Sequence, residues 1–362
     1  MSDIGAAGGN YEVLVGTGGV GTGMFFDLCG SETLGRSESR AGRLVERRDY
    51  CKLHIICHYV KTLLHSTFPV IPIGRLGDDS AGRSLWTQME RTGLDMRHMG
   101  MLTSVPTLFS VCFTYPDGDG CNVTTTASAS STLSVDNIRH AVPVFERYSG
   151  RGIALAAPEV PLEARSEILA LATRHGFLRI ASFTSSELGE VRETNMLQNV
   201  DIVALNLEEA TALCQLDSTA TAETIIDRTV ELVAVSAPEL RVVITAGPSG
   251  SWVVARGSAV HTPVIAVDVL GTAGAGDAHL AGLIVGLVGG QDLPTANQFA
   301  SVVSGLAVTS VHTIHPDLNA EMVRANAEKL DRSLAEVVRQ VLGPGQNASF
   351  DEMDALGEGP EK

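Results

Sequence analysis

Apolar runs of strand length alternate with segments of helical periodicity along most of the chain. Residues 11–15 (YEVLV) read as a buried strand that runs into a glycine-rich turn. Residues 70–74 form a second strand followed by a helix over 81–92, and residues 152–157 form a third, followed by a helix over 162–175. The rhythm continues with a strand at 202–205 before a helix at 207–213, a strand at 242–245, and an apolar helix from Gly276 onward. Such alternation implies right-handed βαβ crossovers, and so an α/β fold with a doubly wound, mostly parallel sheet covered on both faces. Two stretches break the pattern. Residues 24–48 are rich in Gly, Ser and Arg, and residues 107–129 alternate like a hairpin with Pro116, Asp117 and Gly118 near its turn. Together they are expected to form a small β lid over the sheet edge. No repeat of fixed period occurs.

The ends differ from this body. Residues 1–10 are small and polar, and residues 343–362 combine Pro, Gly, Asn and acidic residues with almost nothing to bury. Both are expected to be disordered, which leaves one domain over 11–342.

Composition then narrows the function. The 362 residues carry 26 basic and 42 acidic side chains, for a net charge of -16, a field that repels nucleic-acid backbones and anionic headgroups. Aromatic residues make up only 5%, which argues against stacking platforms for single strands. Cys29, Cys51, Cys57, Cys112, Cys121 and Cys214 are scattered through a long chain that opens without a secretory pattern, so a reducing cytoplasm is expected. No apolar stretch reaches the roughly 20 residues of a membrane span.

Candidate chemistry concentrates in residues 267–283, VDVLGTAGAGDAHLAGL. Gly274, Ala275 and Gly276 let backbone N–H groups crowd together at a helix N-terminus, where unpaired donors and the helix dipole favour an anion. Asp277 in the first turn can accept a proton from a substrate hydroxyl while those amides hold a phosphoryl group. The competing reading is a tight turn whose aspartate complements the dipole. Asn206 and Glu209, three apart after a strand, suit a site reached through water or magnesium, or else a helix cap with its partner. Thr245, Gly247 and Gly250 follow another strand and leave room for a nucleotide, or form a plain turn around Pro248.

The order of these pieces, NxxE, then TxGxxG, then TxGAGD beginning at Thr272, resembles the ribokinase or phosphofructokinase-B family of sugar and nucleoside kinases. Gly74, Gly77, Asp79 and Gly82 match that family's GxxGxDxxG segment. The resemblance implies Asp277 as general base, Gly274–Gly276 as anion hole, and Asn206 and Glu209 directed to magnesium and phosphate. It also implies that Thr245, Gly247, Gly250 and Thr272 lie along ATP, with adenine near residues 297–312. No GxxxxGK[ST] run occurs, so a P-loop is excluded. The chain departs from the family where Gly271 replaces an aspartate that helps build a monovalent-cation site, which puts potassium activation in question. The first-strand aspartate that binds sugar is missing, and Arg48 to His58 stand where GGxxxN opens a helix.

On the acceptor side, Arg36, Glu38, Arg40, Arg43, Arg47, Arg48, Asp49, Lys52 and His54 concentrate charge. Asp49, Lys52 and His54 could hold sugar hydroxyls beside Gly18 and Gly19, and Arg40 and Arg43 an anionic substituent, although charge runs are commonly solvated faces. Gly16, Gly18 and Gly21 follow a strand as a dinucleotide fingerprint would, but the residues after them do not make its helix. Cys51, His54, Cys57 and His58 share a helical face without matching a zinc spacing. The reading is an ATP- and Mg2+-dependent kinase of a sugar or polyol that forms a homodimer through its lid, as relatives do. A nucleoside kinase, a retired nucleotide or sugar sensor, and a nicotinamide oxidoreductase are the alternatives.

Overall fold

The computed structural model describes residues 10–30, 33–45, 48–116, 120–327 and 329–343. The tail expectations at 1–9 and 344–362, Arg47, and the Asp117 and Gly118 turn lie outside the described residues. In chain order the strands are β1 (Val13–Thr17), β2 (Gly21–Leu28), β3 (Gly42–Val45), β4 (Val70–Gly77), β5 (Met99–Leu102), β6 (Leu108–Thr114), β7 (Gly120–Thr124), β8 (Gly152–Ala156), β9 (Leu178–Ser182), β10 (Ile202–Asn206), β11 (Arg241–Thr245), β12 (Ser251–Ala255) and β13 (Ser258–Thr262).

Nine of these make the main sheet, in the order β13-β12-β11-β10-β9-β8-β1-β4-β5. Pairing is parallel from β11 to β5, and the β11–β12 and β12–β13 pairs at the edge are antiparallel. β1 and β8 are buried along their whole length, as continuous apolar runs in a two-sided sheet should be. Alternation assigns their side chains to two cores: Leu14 packs with the cluster around the Lys52–Leu63 and Ala275–Val288 helices, and Val13 and Val15 with the cluster on the other face.

The chain leaves β1 for β4 and β5 on one side and later returns to β8 on the other. The crevice at the carboxyl ends of β1 and β8 is therefore the topological switch point, where open α/β sheets bind ligands. Gly18 and Gly19 follow β1 there, and Glu159 follows β8.

The Ala275–Val288 helix, apolar nearly all round, is buried between its neighbours. Gly282 and Gly286 let the Leu293–Ala307 helix lie against it: an added Cβ would come within 2.8 Å of Ala300 Cα and 2.7 Å of Ala296 Cα. That close packing fixes the direction of the helix and so the position of its N-terminus.

The lid is a separate four-stranded sheet, β3-β2-β6-β7, in which β2 and β6 are parallel. Its first long strand starts at Gly21, immediately after the β1 turn, so the glycines at 16, 18 and 21 lead into the lid and not into a dinucleotide helix. Asp79 anchors the lid's second half. It caps the Ser80–Thr92 helix through Gly82 N–H and accepts bonds from Thr107 N–H and Oγ1 at 2.8 Å each. Register places Met24, Phe26, Leu44, Val111, Phe113 and Val123 on one lid face, with Leu44 and Val123 more than half exposed. The opposite face carries Gly23, Ser110 and Cys112, turned to Asp49.

Candidate active site

Parallel register puts Asn206 beside Thr245 at the carboxyl ends of adjacent strands. Asn206 begins the Leu207–Cys214 helix with a reciprocal box: its Oδ1 accepts from Glu209 N–H and its own N–H donates to Glu209 Oε2, both at 2.8 Å. The capping reading of this pair is thus correct, and it is also what aims the pair. The box pins a nearly buried carboxylate at the mouth of the cleft and occupies one of its two oxygens. Burial raises the Glu209 pKa, and Lys52 opposes that shift.

Across the cleft, Gly274 takes a left-handed conformation (φ 80°) ahead of the Ala275–Val288 helix, and an added Cβ would sit 2.6 Å from Thr313 O. Gly276 faces open space. Asp277 follows in the first turn, and its Oδ1 lies 3.6 Å from Lys52 Nζ. The cleft between strand ends and helix is lined by Lys52, Asn206, Glu209, Thr245, Gly276 and Asp277, among others. These are the positions assigned to the anion hole, the base and the NxxE and TxGxxG pieces.

Lys52 is the cationic centre of the group. Asp277 raises its pKa most, burial opposes that, and Glu209 and Glu159 add to the rise. Lys52 therefore stays charged and neutralises part of a carboxylate cluster.

Glu159 is the member that sequence reasoning missed. It sits after β8 with φ 73°, its Oε2 is buried without a partner, and burial raises its pKa against the pull of Lys52. Gly19 makes the room, because a Cβ there would collide with the Glu159 side chain. A lone glutamate in APEVPL gives no periodic or spacing signal. Its left-handed backbone at the switch point emerges only with the fold.

Asp49 is also buried. Its Oδ2 accepts from Ser110 Oγ at 2.8 Å and faces Cys112 Sγ, and burial raises its pKa. It therefore joins the lid to the residues at the start of the Lys52–Leu63 helix.

Other expected residues are placed elsewhere. His54, about 200° around the helix from Lys52, is buried against Tyr50 and His58 at 4.8 and 6.3 Å between ring centres. It is a core side chain and does not line the cleft. Arg40 pairs with Glu38 and Arg43 with Asp27, each at 2.6 Å, and neither lines the cleft. Gly247 and Gly250 have positive φ in the turn between β11 and β12, and Thr272 is exposed ahead of the helix, its carbonyl accepting from Ala275 N–H. Asn297, in the expected adenine region, is fully buried and donates to Ser251 and Thr262, so its amide serves the core. Cys51 precedes the helix, and no group of three His, Cys, Asp or Glu able to hold a metal occurs among the described residues.

Gly271 has Ser310 O 3.1 Å and Val311 O 3.4 Å from where a Cβ would be, and it brings no carboxylate. Asp268, three residues earlier, is exposed. Gly271 thus removes a carboxylate from the monovalent-cation site that the resemblance implies and leaves the carbonyls of Ser310 and Val311 beside it. Turnover in potassium buffer is expected to match that in tetramethylammonium buffer within about twofold, checked by initial rates in each salt.

The fold is that of the ribokinase-like α/β structures. The description pfkB family carbohydrate kinase matches residues 57–320, and the chain belongs to that family. Among solved structures it is similar to ribokinase from Cryptococcus neoformans var. grubii serotype A in complex with ADP. That likeness has a TM-score of 0.70 at 19% identity over 88% of this chain and 100% of that one. It is likewise similar to adenosine kinase from Sinorhizobium meliloti, with a TM-score of 0.69 at 17% identity over 89% of this chain and 100% of the other. A 94-residue segment is 34% identical to the bifunctional protein HldE of Bradyrhizobium diazoefficiens, covering 26% of this chain and 19% of that protein. Among the described residues no helix is long and apolar enough to cross a membrane.

Proposed function

We propose that this chain is an ATP-dependent phosphotransferase that phosphorylates a hydroxyl of a sugar or sugar-like polyol. The observation that carries the reading is Asp277 in the first turn of a buried helix, beside the Gly274–Gly276 amides and 3.6 Å from Lys52. In this reading Asp277 takes the hydroxyl proton as the oxygen bonds to the γ-phosphorus and the bond to the ADP oxygen breaks. Lys52 and the helix amides stabilise charge on the transferred group. The donor set near Asn206 and Glu209 is hard oxygen with one carboxylate oxygen uncommitted, which fits magnesium. When bound, magnesium supplies charge neutralisation to the phosphates.

Two carboxylates, the buried Asp49 and the half-buried Glu159 with its Oε2 shut from solvent, stand with Lys52 on the acceptor side, a set that accepts hydrogen bonds from hydroxyls. An anionic substituent would meet these carboxylates, and the paired Arg40 and Arg43 do not offset them. We therefore favour a neutral polyol. The test is ADP release from Mg-ATP across sugars, sugar phosphates, polyols and nucleosides. Turnover stimulated by neutral sugars supports the reading, and stimulation by nucleosides alone overturns the acceptor class. With the best acceptor, Glu159→Gln is expected to raise the acceptor KM about tenfold or more with the ATP KM unchanged, as loss of a charge-assisted hydrogen bond would.

The same reading includes a homodimer. The apolar lid face bearing Leu44, Phe26, Phe113 and Val123 suits a second lid. Leu44→Asp with Val123→Asp is expected to shift the sedimentation coefficient from dimer to monomer, and a double variant that still sediments as a dimer would remove that face as the contact.

A further inference from the structure

Two polar atoms on the floor of the cleft have no partner. Ser182 Oγ, at the end of β9, and His279 Nε2, two residues past Asp277, are buried without a hydrogen bond, in side chains 8% and 4% exposed. Both residues line the same cleft as Asn206, Glu209, Thr245 and Asp277. Buried polar atoms are almost always satisfied, by protein or by ordered water, and orphans at a site call for an occupant. The kinase reading gives no work to either residue.

The chemistry of the cleft points to what that occupant is. Among the described residues no three His, Cys, Asp or Glu are placed to hold a metal ion, and Asp277 pairs with Lys52, so a divalent cation here would have Glu209 and Asn206 as its protein donors. Magnesium held by so few side chains keeps several of its waters, and bound waters are strong hydrogen-bond donors that need acceptors. The unprotonated nitrogen of a neutral imidazole accepts, and a hydroxyl oxygen can accept as well as donate. Burial lowers the His279 pKa to about 4, so the ring carries no charge to repel a cation. A bare phosphoryl oxygen seeks donors, and Lys52 and the amides of the Gly274–Gly276 turn already supply them.

We infer that Ser182 and His279 are positioning residues for the hydrated divalent cation of the phosphate donor, accepting hydrogen bonds from its water shell beside Glu209. This rests on the kinase reading but assigns residues that reading leaves idle. The fit extends to size: His279 sits between strand ends and helix, where a side chain without a polar tip would close the floor over the same apolar neighbours, Ala204, Val243 and Leu280.

The test is Mn2+ binding in the presence of a non-hydrolysable ATP analogue, followed by electron paramagnetic resonance. Wild type is compared with Ser182→Ala, His279→Phe and His279→Gln, with thermal melts to confirm folding. His279→Phe is expected to weaken Mn2+ binding about tenfold and Ser182→Ala severalfold, with partial recovery in His279→Gln, and without change in calorimetric affinity for the acceptor. Should His279→Phe not fold, Ser182→Ala carries the test. Binding within twofold of wild type in every folded variant overturns the inference and leaves the kinase reading intact, the pair then holding structural water only. Failure of wild type to bind Mn2+ with the nucleotide analogue overturns both.

Discussion

Asp277→Asn is expected to lower kcat by about 10² to 10⁴ while ATP affinity stays within a few fold. The substitution keeps shape and hydrogen-bonding capacity in the first turn of the Ala275–Val288 helix but removes the oxygen that can take a proton. It also removes the partner that does most to raise the pKa of Lys52. Lys52 retains Glu209 and Glu159 within electrostatic reach, so its charge persists and phosphate binding should survive. The loss should therefore fall on kcat and not on the nucleotide KM, the signature of an interaction realised in the transition state. Coupled ADP assays give the rate, and calorimetry with the non-hydrolysable analogue gives the affinity. A kcat within fivefold of wild type would remove Asp277 as the base.

Much of this was legible in the chain before its structure. Strands that are buried on both faces appear as unbroken apolar runs, which is why β8, β10 and β11 could be read almost to the residue and β1 and β4 placed with shifted ends. The GAGD turn was legible because positive φ at Gly274 and close approach to Thr313 leave little choice of residue. The edge strand β13 carried less signal, since a half-exposed strand admits polar residues. Acceptor-side residues were harder still. Lys52 and His54 are two apart in the same charged run, and only the helix direction decides that one meets Asp277 while the other enters the core. Glu159 depends on a crevice built from β1 and β8, which lie some 140 residues apart in sequence. Its role is set by topology, and a single sequence records that only indirectly.

Acid should destabilise the protein through the same His54 that sequence reading placed in the site. His54 Nδ1 and His279 Nε2 are buried without partners, and burial lowers the pKa of His54 to about 3 and of His279 to about 4, against 6.5 for the free side chain. Between pH 6.5 and 4 the unfolded chain binds these two protons and the folded chain does not, so stability falls as pH falls. Each imidazole costs about 2 kcal/mol by pH 5, at about 1.4 kcal/mol per unit below 6.5. Three carboxylates act oppositely: Asp49, Glu159 and Glu209 have raised pKa values, so as pH falls the folded state takes up their protons before the unfolded one. Wild-type slope is thus a difference of two opposing uptakes, and a variant isolates one of them. His54→Leu keeps an apolar side chain between Tyr50 and His58 and removes one ionisable group. Its stability difference between pH 7.5 and 5, from urea midpoints, is expected to be smaller than wild type by about 2 kcal/mol, close to one proton in slope. Equal slopes in the two proteins would mean that His54 is protonated in the folded state, and that its surroundings accommodate charge that the burial around it should exclude.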